Sequence, residues 1–267
     1  MLECVVNISE GRDIAFLAGL AGLLSPALLD VHTDPDHNRS VFTLVGEQAP
    51  RDLARECVAR LSLSAHSGVH PRVGVVDVVP FVPLHGSTMA DATRARDGFA
   101  EWIGRELGVP AFLYGAERSL PDIRRTAWHG LLPDSGPARP HPTAGAVCVG
   151  ARDVLVAYNV WLEGADLALT KWIASRVRTD AIRTLGLRVG NLTQVSMNLV
   201  SPHVAGPAQA YDAVAGEVRG TTARVLHAEL VGLLPADVLS SVPEGRWEEL
   251  DLSAERTIEA RLGRLDA

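Results

Sequence analysis

The sequence lacks a concentrated run of basic residues, and its formal net charge at pH 7 is −7. Binding to a nucleic-acid backbone needs clustered lysine and arginine side chains, so no nucleic-acid partner is expected. Cysteine is scarce: Cys4, Cys57 and Cys148 are far apart and flanked by apolar residues. They predict buried free thiols, typical of a reducing cytoplasm, rather than a disulfide framework or a zinc site.

Membrane and secretion signals are lacking as well. No basic stretch precedes an apolar core at the N-terminus, as a secretory signal requires. The most apolar stretch, residues 15–31, is interrupted by Ser25 and Pro26 and is too short on either side to span a bilayer. We therefore expect a cytoplasmic protein with no membrane role.

The length of 267 residues and the apolar content of 47% suit two small domains, which we place at residues 1–150 and 151–267. Alternating strand and helix patterns in both halves predict an α+β fold with helices on one face of each sheet. The predicted strands are 1–8, 28–31, 40–45, 73–82, 109–114, 146–149, 154–162, 192–200 and 224–233. The predicted helices are 14–24, one opened by Pro50, 90–107, 166–177, 207–218 and 254–262.

Two segments are candidates for ligand contacts. Residues 115–145 are rich in proline, glycine, arginine and histidine, which predicts a long functional loop or an interdomain connection. Its last part, residues 136–145, is suited to wrapping a flat ligand with backbone donors. In strand 192–200, polar residues alternate with apolar ones, so one face is able to form hydrogen bonds. That face carries Gln194, Ser196 and Asn198.

Histidine is concentrated in the first third of the chain, at His32, His37, His66, His70 and His85. Gly68 and Pro71 disfavour a helix, so His66 and His70 are predicted on a loop before a buried strand. Pro71 restricts the residue before it to an extended geometry, which makes His70 the candidate general acid/base. We expect His66 and Asp36 to orient His70 or the substrate.

A metal site is the alternative for this cluster. The spacing of His66 and His70 is zinc-like only on a helix, so we rank acid/base chemistry above metal ligation and predict no metal. A histidine that only caps or packs a loop remains a strong alternative for His37, His66 and His85 taken singly. Arg39, Arg72 and Arg152 are candidate carboxylate clamps, although Arg39, beside two aspartates, is as readily an ion-pair partner.

Six sequence blocks, in order along nearly the whole chain, resemble signatures of the glutamate formiminotransferase family. They are ECVVNISEGR (3–12), DVHTDPDHNRSVFTLVG (30–46), HSGVHPRVGVVDVVPFVPL (66–84), GAVCVGARDVLVAYN (145–159), QVSMNL (194–199) and ELVGLLP (229–235). No cyclodeaminase segment follows, so we expect a monofunctional enzyme. Val69 stands where the animal members of the family carry glutamate.

The resemblance implies a transferase of one-carbon metabolism. Such an enzyme moves a formimino or formyl group between an N-formimino amino acid, such as formiminoglutamate from histidine catabolism, and tetrahydrofolate as co-substrate. The implied fold is two ferredoxin-like α/β sandwich subdomains whose sheets face each other across a ligand tunnel, in a homodimer. The implied catalytic residue is His70.

The expected substrate- and folate-binding residues combine this resemblance with the patterns above. They are Asp36, Arg39, His66, Arg72, Gly136, Pro137, His141, Thr143, Gly145, Arg152, Asn159, Gln194, Ser196 and Asn198. The donor stays open among formiminoglutamate, formylglutamate, formiminoglycine and a specialised amine. Two rival functions also stay open: a non-catalytic folate- or metabolite-binding paralogue, and a metal-dependent amidine or amide hydrolase using the histidine and aspartate cluster.

Overall fold

The structure, a computed structural model, describes residues 1–265 and divides into two compact units. The first unit is Met1–Asp153, and the second begins at Val154. The sequence had placed the division after residue 150. None of the helices within residues 1–265 is long and apolar enough to cross a membrane.

The first unit contains one mixed sheet and its helices. Its strands are β1 (Leu2–Ile8), β2 (Leu28–Asp34), β3 (Arg39–Val45), β4 (Val76–Pro83), β5 (Ala111–Tyr114) and β6 (Val147–Ala151), and its α-helices are α1 (Ile14–Leu24), α2 (Gln48–Arg60), α3 (Met89–Glu106) and α4 (Leu120–Thr126). The sheet order is β2-β3-β1-β4-β6-β5. The first four of these strands are antiparallel neighbours, and β4, β6 and β5 are parallel.

The second unit repeats the same topology with one antiparallel sheet. Its elements are β7 (Val156–Glu163), α5 (Leu167–Arg176), β8 (Ile182–Val189), β9 (Leu192–Leu199), α6 (Pro207–Val218), β10 (Arg224–Val231), α7 (Ala236–Ser240) and α8 (Ile258–Leu265). The sheet order β10-β7-β9-β8 matches the order β4-β1-β3-β2 in the first unit. Both units therefore contain the βαββαβ arrangement of a ferredoxin-like sandwich, and the predicted α+β class is confirmed.

Helix α1 shows how local sequence positions the elements. The Oδ1 atom of Asp13 accepts a hydrogen bond from the N–H of Phe16 at 2.9 Å and so begins the helix. Phe16, Leu20 and Leu24 then fall on one buried face. Fully burying a side chain of this size contributes about 1.5–3 kcal/mol, so this face fixes the helix against the sheet.

The main core of the first unit lies between the sheet and helices α1, α2 and α3. Cys4, Val6 and Ile8 alternate along β1 towards this core, where they join the cluster that contains Phe16 and Phe99. Helix α4 belongs to a separate apolar cluster with β4, β5 and β6. That cluster includes Val78, Phe112, Ile123 and Cys148. Helix α4 is thereby held where Arg124 reaches Asp77 at the start of β4.

All three cysteines are buried free thiols in the first unit, as the sequence predicted. Burial raises the pKa of Cys4, Cys57 and Cys148 above the ordinary thiol value. The three side chains remain protonated and apolar in the folded chain.

Several elements differ from their prediction. Strand β8 was missed because it is an edge strand that mixes arginine and leucine and is interrupted by Gly186. A Cβ at Gly186 would lie 2.7 Å from the backbone of Lys171, so only glycine fits where α5 crosses β8. Helix α2 begins at Gln48, so the predicted opening at Pro50 is wrong. Helix α7 was also missed, and the predicted helix 254–262 is a 3₁₀ turn, Ala254–Arg256, followed by α8.

Helix α4 lies inside the segment predicted as a loop. Ser119 and Asp122 form a reciprocal capping box at its start, with Pro121 in the first turn. The helix has seven residues, which is too short to produce a recognisable apolar period. The segment 115–145, predicted as a long functional loop or an interdomain connection, therefore contains a helix and lies within the first unit.

Candidate active site

Asp77 is the centre of a buried charge cluster in the first unit. It lies on β4, is 0% exposed, and its Oδ2 accepts hydrogen bonds from Arg39 Nη1 at 2.8 Å and Arg124 Nη2 at 2.7 Å. Its Oδ1 accepts the backbone N–H of Val73 at 2.8 Å. A buried carboxylate is tolerated when it is paired and hydrogen-bonded, and these three donors meet that requirement.

Asn7 of β1 holds the other edge of the Arg39 guanidinium. Its Oδ1 accepts from Arg39 Nε at 3.2 Å and from Arg39 Nη2 at 2.9 Å. Burial lowers the pKa of Arg39, and Asp77 partly offsets this effect. Burial by itself raises the pKa of Asp77, but the charges of Arg39 and Arg124 outweigh it and hold the pKa below its ordinary value. One carboxylate thus faces two guanidiniums, and the cluster has a net positive charge.

His70 lies beside this positive cluster, on the loop that precedes β4. Its Nδ1 is 2.8 Å from the carbonyl oxygen of Pro71. Because a carbonyl only accepts, Nδ1 carries the proton and Nε2 has the lone pair. Burial, followed by the charges of Arg39 and Arg124, lowers the pKa of His70 to about 3. The imidazole is therefore uncharged near neutral pH.

Two further histidines lie close to His70. The ring centroid of His37 is 6.2 Å from that of His70 in an edge-on arrangement, and His37 Nε2 lies 3.8 Å from Asp34 Oδ2. His66 Nε2 is 2.8 Å from the carbonyl oxygen of Asn38. The Nδ1 atoms of His37 and His66 are buried without a hydrogen-bond partner in residues 1–265. The structure therefore brings His37, His66 and His70 into one region.

Asn38 joins the loops that hold these histidines. It has a φ of 49°, in the left-handed region that asparagine tolerates better than most residues. Its Nδ2 donates to the carbonyl oxygen of Ser67 at 3.0 Å, which connects it to the His70 loop. Glycine at position 68 permits the close approach, because a Cβ there would lie 2.3 Å from the carbonyl oxygen of His37. The loops are thus fixed in place by backbone contacts.

The predicted arginine clamps have different surroundings. Arg39 is occupied by Asn7 and Asp77, as described above. Arg72 Nη2 donates to the carbonyl oxygens of Gly68 and His70, so it braces its own loop. Arg152 Nη1 donates to the carbonyl oxygen of Asp153 at 2.9 Å.

Asp36 is exposed on the β2–β3 loop. The backbone N–H of Asp36 donates to Asp34 Oδ1 at 2.8 Å. The side chain of Asp34 thereby stabilises the turn.

The 136–145 loop is closed by its own hydrogen bonds. The backbones of His141 and Gly145 bond to each other at 2.7 and 3.0 Å, and the carbonyl oxygen of Thr143 accepts from the N–H of Leu63 at 2.8 Å. Gly136 packs against the backbone of Gly104, whose Cβ would lie 2.7 Å from Gly136 Cα. Pro137 is exposed in the same loop. These contacts connect the loop to the segment before His66 and to α3.

The second unit has a polar sheet face centred on Glu229. Its Oε2 accepts from Trp161 Nε1 at 2.8 Å and from Asn159 Nδ2 at 3.0 Å, with Gln194 Nε2 at 3.5 Å. His227 stacks on Trp161 with ring centroids 5.6 Å apart and an interplanar angle of 22°. The register pairs Asn159 with Ser196, and Asn198 lies two residues further along β9 on the same face.

The sequence prediction missed several of these residues. They are Asn7, Asp77, Arg124, Trp161 and Glu229. A charged residue inside the apolar run 73–82 was a readable signal for Asp77, because a buried charge requires partners. Within residues 1–265, no group of three or more histidine, cysteine, aspartate or glutamate side chains is placed to hold a metal ion.

Comparisons with known proteins identify the family. Residues 1–152 match the formiminotransferase domain, N-terminal subdomain. The chain is 33% identical to a glutamate formimidoyltransferase of Streptococcus pyogenes serotype M1, with 91% of this chain and 92% of that protein covered. The chain belongs to the formiminotransferase family. As a formiminotransferase-family member it is a transferase, which confirms the predicted family and enzyme class.

Two other relatives of this formiminotransferase extend the comparison. A glutamate formimidoyltransferase of Thermoplasma acidophilum is 33% identical, with 91% of this chain and 90% of the relative covered. A formimidoyltransferase-cyclodeaminase of Sus scrofa is 32% identical over 90% of this chain, and the match spans 51% of that protein. The matched N-terminal subdomain contains the whole His70 and Asp77 cluster, whereas the Glu229 face lies in the second unit.

Proposed function

We propose that this formiminotransferase moves the formimino group of formiminoglutamate to tetrahydrofolate, with His70 as the general acid/base. The observation that carries the proposal is the state of His70: a single tautomer whose Nε2 carries the lone pair, beside a cluster of net positive charge. Relatives named glutamate formimidoyltransferase support the choice of donor and the chemistry.

The reaction makes one carbon–nitrogen bond and breaks another. An amine nitrogen of tetrahydrofolate attacks the formimino carbon, and His70 Nε2 takes the proton that this nitrogen loses. The same proton then goes to the departing glutamate nitrogen as its bond to carbon breaks. Proton transfer by a positioned side chain contributes roughly 10²–10⁴ in rate, and holding two substrates together supplies further acceleration.

The negative charge of formiminoglutamate is expected to change the pKa of His70. A pKa of about 3 suits a neutral imidazole but makes it a weak base. Formiminoglutamate carries two carboxylates, and negative charge beside Arg39 and Arg124 raises the pKa of His70 towards the working pH. Substrate binding would thereby activate the base.

The second unit is proposed to hold part of the folate. The exposed ring of His227, stacked on the buried Trp161, offers a flat aromatic surface, and Glu229 accepts N–H donors. The pyrimidine ring of a reduced pterin is flat and carries N–H groups, so it matches this surface. Gln194, Ser196 and Asn198 on β9 and the 136–145 loop remain proposed folate contacts.

Assembly and location are part of the same proposal. We propose a homodimer, as the resemblance implied, in a reducing cytoplasm. The buried free thiols Cys4, Cys57 and Cys148 support the reducing compartment.

The deciding experiment incubates the protein with tetrahydrofolate and formiminoglutamate and follows the formiminotetrahydrofolate product by absorbance. Formylglutamate and formiminoglycine are run in parallel. We expect product with formiminoglutamate and little with His70→Ala. Folate binding without product from any donor would indicate a non-catalytic paralogue, and consumption of the donor without folate would indicate a hydrolase.

A further inference from the structure

Arg124 connects the buried carboxylate to the backbone next to His70. Its Nη2 donates to Asp77 Oδ2 at 2.7 Å, and its Nη1 donates to the carbonyl oxygen of Pro71. The same carbonyl oxygen accepts the Nδ1–H of His70 at 2.8 Å. One guanidinium therefore sets the direction of the peptide group that selects the His70 tautomer.

Asp77, to which Arg124 is bonded, is held in place by other contacts as well. Asp77 is 0% exposed and is also held by Arg39 and by the N–H of Val73, so its position does not depend on Arg124 alone. Helix α4 fixes Arg124 from the other side, because Ile123 is fully buried in the apolar cluster beneath it. The bridge thus spans two rigid elements and ends on a loop carbonyl.

We propose that Arg124 is a positioning residue for His70: its guanidinium, bridging Asp77 and the Pro71 carbonyl, fixes the Nδ1–H tautomer and leaves Nε2 to the reacting nitrogen. Its role in formimino transfer rests on the proposed function, whereas its effect on the tautomer is a property of the unliganded protein. A free histidine side chain has no such constraint and exchanges between tautomers.

Arg124 also acts on the imidazole through its charge. The charge of Arg124, with that of Arg39 on β3, opposes protonation of His70, and Asp77 on β4 favours it. Arg72 on the same loop donates to the His70 carbonyl oxygen at 2.9 Å. From the β2–β3 loop, the ring of His37 faces His70 edge-on.

Asp34 is a further charged group near this ring pair. Its carboxylate lies 3.8 Å from His37 and is therefore one residue removed from His70. Among these groups, Arg124 alone both bonds the Pro71 carbonyl and carries positive charge towards the ring.

The test compares Arg124→Gln and Arg124→Lys with the control Arg125→Gln. Arg125 is the next residue on α4, is 68% exposed and pairs with Asp122, so its replacement preserves the helix and changes the formal charge equally. Each protein is labelled with ¹⁵N-histidine, and the nitrogen shifts of His70 are followed against pH without substrate. The shifts report the tautomer and the pKa directly.

We expect His70 to be in the Nδ1–H tautomer in the wild type and in Arg125→Gln. In Arg124→Gln the Nε2–H form should become populated, and the pKa of His70 should rise by about 1–2 units because a like charge has been removed. Arg124→Lys should keep the low pKa, because the charge remains, while its tautomer ratio moves towards that of Arg124→Gln. In turnover assays, kcat of Arg124→Gln should fall roughly 10- to 100-fold with a smaller change in KM.

Two outcomes would overturn the proposal. The first is an unchanged tautomer and pKa in Arg124→Gln with circular dichroism intact. The second is a rise in KM at normal kcat, which would make Arg124 a substrate ligand. If the nitrogen shifts change as expected but the wild type shows no transfer with any donor, the positioning of His70 stands and the proposed function fails.

Discussion

The side chain of Asn38 accepts a hydrogen bond from the backbone N–H of Gly11, with Oδ1 and N 2.9 Å apart. This bond ties the loop after β1 to the loop between β2 and β3. A Cβ on Gly11 would lie 2.3 Å from the carbonyl oxygen of Asp34, so the two loops touch through their backbones. The buried side-chain amide of Asn38 therefore stabilises the loops that carry the histidines.

Replacing Asn38 should destabilise the first unit. Asn38→Ala removes two side-chain hydrogen bonds and places an alanine at positive φ, which should lower the free energy of unfolding by about 2–3 kcal/mol. Asn38→Gly loses the same bonds without the φ strain and should cost less. Urea denaturation measures both. Equal losses in the two variants would show that the backbone angle contributes nothing.

Removing the imidazole of His70 should affect turnover far more than folding. His70→Ala should reduce kcat by roughly 10²–10⁴, with ligand affinity nearly unchanged, because it removes proton transfer rather than packing. His66→Ala should reduce kcat less, since the His66 ring is hydrogen-bonded to the backbone carbonyl of Asn38 and is not the proposed acid/base. Steady-state kinetics and calorimetry separate the two effects. Near-normal turnover in His70→Ala, with loss in His66→Ala or Asp36→Ala, would reverse the roles.

The low pKa of His70 should make stability depend on pH. Its folded-state pKa of about 3 lies below the unfolded value of about 6.5, so the unfolded chain binds the proton first as pH falls. The wild type should therefore lose about 2 kcal/mol of stability from this group between neutral pH and about pH 5. Urea denaturation at a series of pH values gives the free energy of unfolding of the wild type and of His70→Asn, whose side chain does not titrate in this range. The free energy of unfolding of His70→Asn should depend less steeply on pH. The same dependence on pH in both proteins would rule out the low pKa.

The Glu229 face should contribute to folate affinity. Glu229→Gln keeps the shape but loses the charge, and tetrahydrofolate affinity should fall about tenfold. Glu163→Gln is the matched control, since the Glu163 side chain at the end of β7 is 46% exposed and pairs with Arg224. Calorimetry measures both. Equal affinity in Glu229→Gln and Glu163→Gln would remove Glu229 from the folate site.

The protein should form a homodimer in solution. Most soluble oligomers are symmetric assemblies of identical chains, and the family likeness favours an interface on the N-terminal half. Light scattering at micromolar protein should give twice the chain mass. A strict monomer would contradict this prediction.

Much of the fold was predictable from the sequence, because the spacing of apolar residues and the residues at the helix ends indicate the same elements. The predicted helices 14–24 and 207–218 match α1 and α6 at both ends. Strand β8 was not readable because its outer face at a sheet edge is free to mix Arg183 and Leu185. Helix α4 was hidden by its length, although Ser119 and Asp122 were a valid start signal.

The candidate site was readable only where it coincided with a motif. The histidine loop stood out through His70 and Pro71, whereas Arg124 and Asn7 carry no local signal. Their importance arises from contacts with residues 47 and 32 positions away, Asp77 and Arg39. Tertiary structure alone brings such pairs together.

The buried cysteines give the chain an internal reporter of its own motions. Cys4, Cys57 and Cys148 all lie in the first unit, and their protonated thiols are shielded from alkylating reagents until that unit opens. The rate of thiol modification under native conditions will therefore measure opening of the first unit alone. Partial unfolding restricted to the second unit will leave all three thiols unmodified.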